Sequence, residues 1–262
     1  MIIAATPYGP GGSINTPLYD YTGTKPTYKE DGNGNWEIVL TADCSIRFHR
    51  LLQRVDICLV AGGKPGSAGK GNMGDAYGGD GGDGGEVKNL YGRTLEIGKN
   101  YACKIGKSGE NTSAFGYTAE TGKGSTHGTG AHQNSTSLAH DNASPGGDGK
   151  LAFFDDPNEN DDCLIWPGYK FGPGGGAGAA RIPALGYWSS ASDGGMGWID
   201  PTTGNPNTGG GNGGQSAGSK GDPNSGGGGA GGASDHLNTA TEKNYSGGPG
   251  GTGVVIIRNH RA

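Results

Sequence analysis

Several features that mark membrane, secreted and nucleic-acid-binding proteins are missing from this chain of 262 residues. No apolar run approaches the roughly 18 residues that a membrane span requires. Residues 1–12 lack the basic region and the long apolar stretch of a signal peptide. The net charge of −5 has the wrong sign for a nucleic-acid-binding surface. These absences predict a protein made in the cytoplasm, with neither membrane insertion nor nucleic-acid binding.

Metal-binding cysteine pairs and helical periodicity are also missing. The four cysteines form no CxxC pair and have no histidine at zinc spacing; they are Cys44, Cys58, Cys103 and Cys163. Each lies in or beside an apolar segment, which favours buried thiols, and one or two disulfides are the alternative. No segment keeps a 3.6-residue apolar period, so we expect almost no α-helix.

Glycine is what the chain has in abundance. Its 59 glycines are roughly three times the ordinary share of about 7%. Such a composition raises the possibility of a disordered chain. However, the 4 tryptophans, the 11 tyrosines, the short apolar runs and the small net charge all argue against disorder. We therefore expect the glycines to belong to a folded domain.

Alternating apolar residues predict several β-strands. In "NWEIVLT", Trp36, Ile38 and Leu40 share one face, with Glu37 on the other. The segments "SIRFHR", "RVDICLV", "KLAFF" and "CLIW" are further candidates. "TLEIGKNYACKIG" is typical of a hairpin whose two strands meet across residues 98–100. Four β-branched residues, 254–257, predict a strand buried on both faces.

The glycine tracts repeat with a period of three. In "YGGDGGDGGE" the other residues are Tyr77, Asp80, Asp83 and Glu86, and the terminal tract places Ser246, Pro249 and Thr252 in the same way. Three residues per turn is the period of the polyproline II helix, and two bare edges would let such helices pack together and share backbone hydrogen bonds. The structural glycines are Gly78, Gly79, Gly81, Gly82, Gly84, Gly85, Gly247, Gly248, Gly250 and Gly251. Flexible linkers are the alternative interpretation.

The predicted fold is all-β, a small β-sandwich that anchors layers of glycine-rich polyproline II-type helices. Residues 1–33, rich in Pro, Tyr and Thr, are expected to form an N-terminal arm or attachment segment. Residues 34–262 form the glycine-rich β domain, with loop insertions at about 123–145 and 180–207. We expect the domain to need many tracts packed at once, because ordering glycine is costly.

An ordered set of segments resembles a known family. "NGNWEIVLTADCSIRFHRLLQRVDICLVAGG", "LEIGKNYACKIGKSG", "TSAFG" and "GGPGGTGVVIIR" occur in the order seen in the glycine-rich domain of bacteriophage and prophage tail-fibre and tail-associated proteins. Asp43-Cys44-Ser45 departs from the family's usual turn, and Lys64, Pro65 and Ser67 interrupt its usual glycine run. The resemblance covers residues 34–262.

The resemblance implies a virion structural protein at the tail or fibre that contributes to host-surface attachment. It implies no enzyme and no cofactor. Expected partners are other virion proteins, a bacterial surface glycan and further copies of the chain in a homo-oligomer. The alternative is a purely architectural virion component, a capsid or tail decoration without receptor binding.

Aromatic residues in the segment 181–201 are candidates for receptor or glycan contact. Tyr187, Trp188 and Trp198 stand among serines and aspartates, a setting that suits the apolar faces and hydroxyl groups of sugars. Displayed loops are where recognition usually resides. The alternative is that these rings form a small satellite core at the end of the glycine bundle.

The sequence offers weaker candidates for other chemistry. Asp156, Asn158, Asn160 and Asp162 alternate as calcium-loop ligands do, but the loop lacks the glycine at position six and the late glutamate, which favours a solvated acidic loop. His127, His132 and His140 lie in one loop with loose spacing, which favours a polar insertion, and a metal site is the alternative. The residues Gly214–Gly218 match the sequence pattern of a nucleophile elbow, but the strand-turn-helix context that such an elbow requires does not surround them.

Overall fold

The computed structural model describes residues 17–71, 74–134, 140–155, 163–182, 188–194, 198–199, 206–207, 210–211, 213–238 and 241–259. These residues form an all-β fold without a helix. The strands of the sandwich are β1 (Tyr19–Gly23), β2 (Thr27–Glu30), β3 (Trp36–Leu40), β4 (Cys44–Phe48), β5 (Leu52–Val60), β8 (Val87–Leu95), β9 (Asn100–Cys103) and β21 (Val254–Asn259).

The remaining strands are short. They are β6 (Lys70–Gly71), β7 (Asp75–Tyr77), β10 (Thr112–Ala114), β11 (Tyr117–Ala119), β12 (His132–Asn134), β13 (His140–Asp141), β14 (Lys150–Leu151), β15 (Lys170–Phe171), β16 (Ala180–Arg181), β17 (Trp198–Ile199), β18 (Pro206–Asn207), β19 (Ser234–Asn238) and β20 (Thr241–Asn244).

Two antiparallel sheets form the sandwich. One has the order β2-β3-β21-β5-β8 and the other β1-β4-β9. The core between them contains Trp36, Ile38, Phe48, Ile57 and Ile257, all nearly inaccessible to solvent. The alternation that predicted β3, β4 and β5 therefore places the expected residues in one core.

The five-stranded sheet is buried on its second face as well. Residues 152–153 and 163–171 cover it, and Phe153 and Phe171 pack against Val254 and Ile256. The prediction that β21 is buried on both faces is confirmed, since Val254 to Arg258 are all buried. Glu37, expected on a polar face, is fully buried beneath this cover. The sequence of β3 alone could not reveal a cover that comes from a distant segment.

A buried ion pair lies on the second face. Arg258 of β21 stands opposite Asp56 of β5 and Glu37 of β3 in the register of the sheet. Its Nε donates to Asp56 Oδ2 at 3.2 Å, and its guanidinium lies 3.8 Å from the centre of the Phe153 ring. All three charged side chains are inaccessible to solvent. Pairing is what makes their burial tolerable, because an isolated buried charge is costly.

Extended glycine-rich tracts form the rest of the molecule, which we call the glycine lattice. It comprises residues 61–69, 78–86, 124–131, 172–179, 226–233 and 245–253, with shorter segments 143–147, 189–193, 213–214 and 216–221 at its margin. The tract 226–233 lies in the centre and exchanges backbone hydrogen bonds with 61–69, 78–86, 172–179, 245–253, 210–211 and 216–221. Tracts that share hydrogen bonds with so many neighbours are not linkers.

Successive residues of a tract hydrogen-bond to different neighbouring tracts, and the pattern repeats every three residues. In the central tract, the carbonyl groups of 226, 229 and 232 accept from 78–86, whereas those of 227, 230 and 233 accept from 245–253. The N–H groups of 228 and 231 donate to 172–179. This is the period of three that the sequence predicted. The polyproline II conformation itself stays a prediction, because the hydrogen bonds establish a period and not the dihedral angles.

Close approach explains why the tracts are glycine. A Cβ added at any of the ten structural glycines named from the sequence would lie 1.9–2.2 Å from a carbonyl oxygen of another segment. In tract 78–86, one glycine of each pair faces 172–178 and the other faces 61–67. The side chains of Asp80, Asp83 and Glu86 leave from the third edge.

The lattice has two ends. Tracts 61–69, 78–86 and 245–253 join β5, β8 and β21 directly, so one end of the lattice continues into the sandwich. The opposite end, which we call the tip, carries the sheet β13-β12-β7-β6 and the sheet β16-β19-β20. The far end of the sandwich, which we call the pole, carries the turns around Leu51 and Ile97, whose side chains are 50% and 62% exposed. Leu18 and Asn259 lie at the pole, beside His49 and Val55 respectively.

Some local predictions differ from the structure. The hairpin predicted across residues 98–100 is wrong: β8 pairs with β5 and β9 pairs with β4, so the chain crosses between sheets at this turn. "CLIW" forms no strand. Within residues 1–33, β1 and β2 pair with β4 and β3, while residues 1–16 are outside the described part. The insertions expected near 123–145 and 180–207 contribute residues 124–131, 143–147 and 189–193 to the lattice.

Candidate functional site

The tip is built by chain reversals at the ends of the tracts. The hairpins β6–β7, β12–β13 and β19–β20 turn there, and the segment after β16 turns back into the lattice at Ser189. A small core of Ala76, Ala131, Ala180 and Ile182 holds these elements together. The buried Gln133 side chain accepts from the Ile182 N–H at 2.9 Å. The described strands of the tip are therefore joined to one another by a shared core and a buried hydrogen bond.

A stacked pair of rings is the clearest feature of the tip. Tyr77 and His132 face each other in the register of β7 and β12, with ring centres 4.3 Å apart and planes inclined by 6°. The Lys70 ammonium lies 5.9 Å from the Tyr77 ring centre, and His132 Nε2 lies 3.4 Å from Asp75 Oδ1. Tyr77 is 37% exposed. The group presents an aromatic edge beside one cation and one carboxylate.

Trp188 is the one aromatic residue predicted for recognition whose side chain the structure describes. It is half-buried, and the Arg181 guanidinium lies 5.7 Å from its ring centre. It begins the segment that returns from the tip, one residue before Ser189. A cation over an indole ring is attracted to the face of the ring and helps to hold the ring in place.

The structure describes Trp188 and Trp198 on two different segments of the chain. The segment 189–193 runs from the tip toward the sandwich, and Gly194 at its end lies against Gly210, which packs on Gly174. The backbone of Trp198 lies in β17, paired with β18. Tyr187 is outside the described residues. A site shared by all three aromatics stays a prediction.

The flank of the lattice carries an ion-pair cluster on the third edge of tract 78–86. Asp83 lies 3.0 Å from Lys64 Nζ and 2.6 Å from His127 Nδ1. Burial alone raises the pKa of Asp83, but the hydrogen bonds from His127 and Lys64 outweigh burial and hold the pKa below its usual value. The cluster ties three tracts together through side chains, so its role is consistent with lattice assembly.

The weaker metal candidates are not brought together among the described residues. Asp156, Asn158, Asn160 and Asp162 all lie outside them. His127 is on the flank and His132 at the tip, and no group of three or more His, Cys, Asp or Glu side chains within the described part of the chain could hold a metal ion. No helix in that part is long and apolar enough to cross a membrane.

A shallow cleft of about 360 Å³ opens in the sandwich, away from the tip. Arg93, Thr94, Tyr101, Phe115 and Tyr117 are among its lining residues. The Arg93 guanidinium lies 5.6 Å from the Tyr117 ring centre. The cleft is a second place where a cation and aromatic rings meet a concave surface. No motif in the sequence pointed to it, because its residues come from β5, β8, β9, β11 and the turns between strands.

Comparison with known proteins supplies the family. No curated protein and no solved structure matches the chain. The model of one protein family, described as a glycine-rich domain, matches residues 40–260. That span begins at the end of β3 and includes every tract of the lattice and β21, and it covers most of the 262 residues. The chain belongs to this glycine-rich domain family.

Proposed function

We propose that the protein is a structural component of a bacteriophage virion, in the tail fibre or associated with the tail, and that it contributes to host-surface attachment through its tip. The observation that carries the proposal is the polarity of the molecule. Leu18 and Asn259 lie at the pole, the lattice runs away from the sandwich, and the hairpins turn at the opposite end. A protein joined to a particle at the pole would present the tip outward.

The lattice supports this proposal because it is a stiff spacer. Backbone hydrogen bonds join each tract to its neighbours at every third residue. Recognition residues commonly sit on loops that a rigid scaffold positions. Substitution of exposed side chains at the tip, such as Tyr77, would leave the glycine contacts of the lattice unchanged.

The chemistry of the tip supports a glycan as the ligand. Tyr77, His132 and Trp188 offer ring surfaces, while Lys70, Asp75 and Arg181 offer hydrogen-bonding groups beside them. Sugars bind through their C–H faces against aromatic rings and through their hydroxyls to short polar groups. Other virion proteins and further copies of the chain are the partners proposed for the pole, and the protein acts without catalysis.

The test is binding of purified, fluorescently labelled protein to bacterial cells and to their isolated surface glycans. The tip variant is Tyr77→Ala/Trp188→Ala, and its matched control is Ile97→Ser at the pole. We expect the tip variant to lose at least ten-fold in affinity and the control to bind as wild type does. Trp198→Ala is measured separately, because the backbone of Trp198 belongs to a different strand pair, β17–β18.

Two results would count against attachment through the tip. Binding lost with Arg93→Ala and kept by the tip variant would move the site to the cleft. Incorporation into particles without binding to any cell surface would favour the purely architectural role, a capsid or tail decoration.

A further inference from the structure

Two of the four cysteines face each other across neighbouring strands. Cys44 at the start of β4 is the direct partner of Cys103 at the end of β9 in an antiparallel pair. Directly opposed residues of such a pair have Cα atoms about 4.5–5.5 Å apart, within the range of about 4.4–6.8 Å that a disulfide spans. The two thiols also share a side-chain hydrogen bond. Forming a bond between them requires no movement of the backbone beyond local adjustment.

The surroundings hold this pair in register. Gly23 of β1 stands opposite Cys44, and a Cβ at that glycine would lie 3.2 Å from the Cys44 Cα. Just beyond Cys103, the Ile105 N–H donates to Asp43 Oδ1 at 2.7 Å. Both cysteines belong to the core of the sandwich, at the end that meets the lattice. Their side chains therefore have little freedom to turn away from each other.

The other two cysteines lack this geometry. Cys58 faces Ile256 and Asn89 in the register of β5, and it is fully buried. The Cys163 thiol donates to Glu37 Oε2 at 3.2 Å. Burial and the neighbouring Glu37 carboxylate raise the pKa of Cys163 to about 12, which keeps it a thiol. Cys58 and Cys163 thus supply an internal control.

We propose that Cys44 and Cys103 are a modification site at which a peroxide forms a cross-strand disulfide. Cys44 reacts first, because it is 9% exposed, more than any other cysteine. The hydrogen bond from Cys103 also lowers the pKa of the Cys44 thiol, whereas that bond and burial raise the pKa of Cys103. The thiolate is the reactive form of cysteine.

The reaction balances with hydrogen peroxide as the oxidant. The Cys44 thiolate attacks one peroxide oxygen, the O–O bond breaks, and the departing hydroxide takes up a proton as water. The resulting Cys44 sulfenic acid is then attacked by the Cys103 sulfur, the S–O bond breaks, and the hydroxide leaves with the Cys103 proton as a second water. Two thiols are oxidised to one disulfide, and one peroxide is reduced to two waters.

The bond would act as a clasp where the sandwich meets the lattice. It would close a loop from residue 44 to residue 103 that contains β5, β8 and the tracts 61–69 and 78–86. A cross-link over a loop of this length restricts the unfolded chain and raises stability. The oxidised protein should therefore unfold at higher denaturant concentration than the reduced protein.

The experiment treats the folded full-length chain with dilute hydrogen peroxide, quenches it, and counts free thiols after denaturation. We expect the count to fall from four to two, a non-reducing peptide map to join Cys44 to Cys103, and dithiothreitol to restore all four. The variant Cys58→Ser/Cys163→Ser should react as wild type does. In Cys103→Ser the sulfenic acid has no partner, so dimedone should label Cys44 there and not in the wild type.

Three outcomes would overturn the proposal. Four thiols could persist in the wild type while Cys44 of Cys103→Ser takes no dimedone. The peptide map could join other cysteines, or it could join cysteines of two different chains.

Discussion

The sandwich and the glycine lattice order a similar length of chain by opposite means. The sandwich buries large side chains such as Trp36, Phe48 and Ile57 between its sheets. The lattice removes side chains, so that carbonyl oxygens approach to within 1.7–2.4 Å of where a Cβ would stand at most of its glycines. The sandwich gains from burial of apolar surface, whereas the lattice gains from hydrogen bonds and close backbone packing. Both regions pack in a specific way, but only the sandwich can be recognised from the hydrophobic pattern of the sequence.

The lattice depends on the sandwich more than the reverse. Ordering a glycine costs more conformational entropy than ordering any other residue. A backbone hydrogen bond returns only about 0.5–1.5 kcal/mol net. Three tracts continue into β5, β8 and β21, so the sandwich fixes their ends and their spacing. We expect sensitivity to substitution to differ sharply between the two regions.

The largest expected effect comes from one methyl group in the central tract. A Cβ at Gly231 would lie 1.7 Å from the Gly79 carbonyl oxygen and 2.3 Å from its carbon. Since both are backbone atoms, tracts 226–233 and 78–86 must separate. We expect Gly231→Ala to destabilise by more than about 3 kcal/mol, beyond the usual cost of overpacking a core. Urea unfolding followed by circular dichroism measures it.

Gly214→Ala is the matched control for that substitution. The nearest atom to a Cβ at Gly214 is the Ser216 nitrogen at 4.0 Å, so the added methyl has room. We expect a change within about 0.5 kcal/mol, as at other uncrowded positions. Equal effects of the two substitutions would mean that close approach is not what requires glycine in the lattice.

The next largest effect is expected from breaking the buried ion pair of the sandwich. Arg258→Met removes the guanidinium that pairs with Asp56, and both side chains are fully buried. Breaking a buried pair from one side costs about 3–5 kcal/mol because the remaining charge is uncompensated. Denaturant titration of the variant measures this loss. Arg258→Met/Asp56→Leu should recover part of it, and a double variant no more stable than the single one would contradict the pairing account.

The smallest expected effect concerns the flank of the lattice. Hydrogen bonds from His127 and Lys64 hold the pKa of the Asp83 carboxyl below its unfolded value of about 3.9. The folded state therefore binds the proton of this carboxyl less tightly than the unfolded state does. The contribution of the Asp83 carboxylate to the free energy of unfolding is fully present above the unfolded pKa, and it is lost as the pH falls through the folded pKa. Solvent screening limits it to at most about 1 kcal/mol.

Stability measured from pH ~5 to ~2 should show this loss in the wild type. Asp83→Asn should be less stable than wild type at neutral pH and should converge with it in acid. A constant difference between the two proteins across this range would show that the ion pair is not the cause.

The sequence predicts the two regions through different signals. Alternation placed Trp36, Ile38 and Leu40 in the core, and the spacing of Asp80 and Asp83 predicted which edge of their tract carries side chains. These signals succeed because each depends on local geometry alone. The pairing of β8 and β9 was mispredicted because a glycine turn between strands fits a hairpin and a crossing between sheets equally well.

The candidate site was harder to predict than the fold. Tyr77 and His132 meet only because two tracts end at the same level of the lattice, and neither sequence neighbourhood indicates the other. The tracts 124–131 and 189–193 escaped notice for a related reason. In these tracts Ser, Thr, His and Asp stand at several positions where the inner tracts have glycine, so the period of three is hidden. The hydroxyls of Ser189 and Ser192 even accept hydrogen bonds from Ala180 and Ala177.

The sideways hydrogen bonds of the lattice have a mechanical consequence. The tracts run between tip and sandwich, so their mutual bonds lie across that direction. A pull applied between tip and pole loads these bonds in shear and all at once, whereas a pull across the tracts opens them one after another. The long axis should therefore resist force far better than the transverse one. Single-molecule pulling from cysteines placed in the two geometries would measure the ratio.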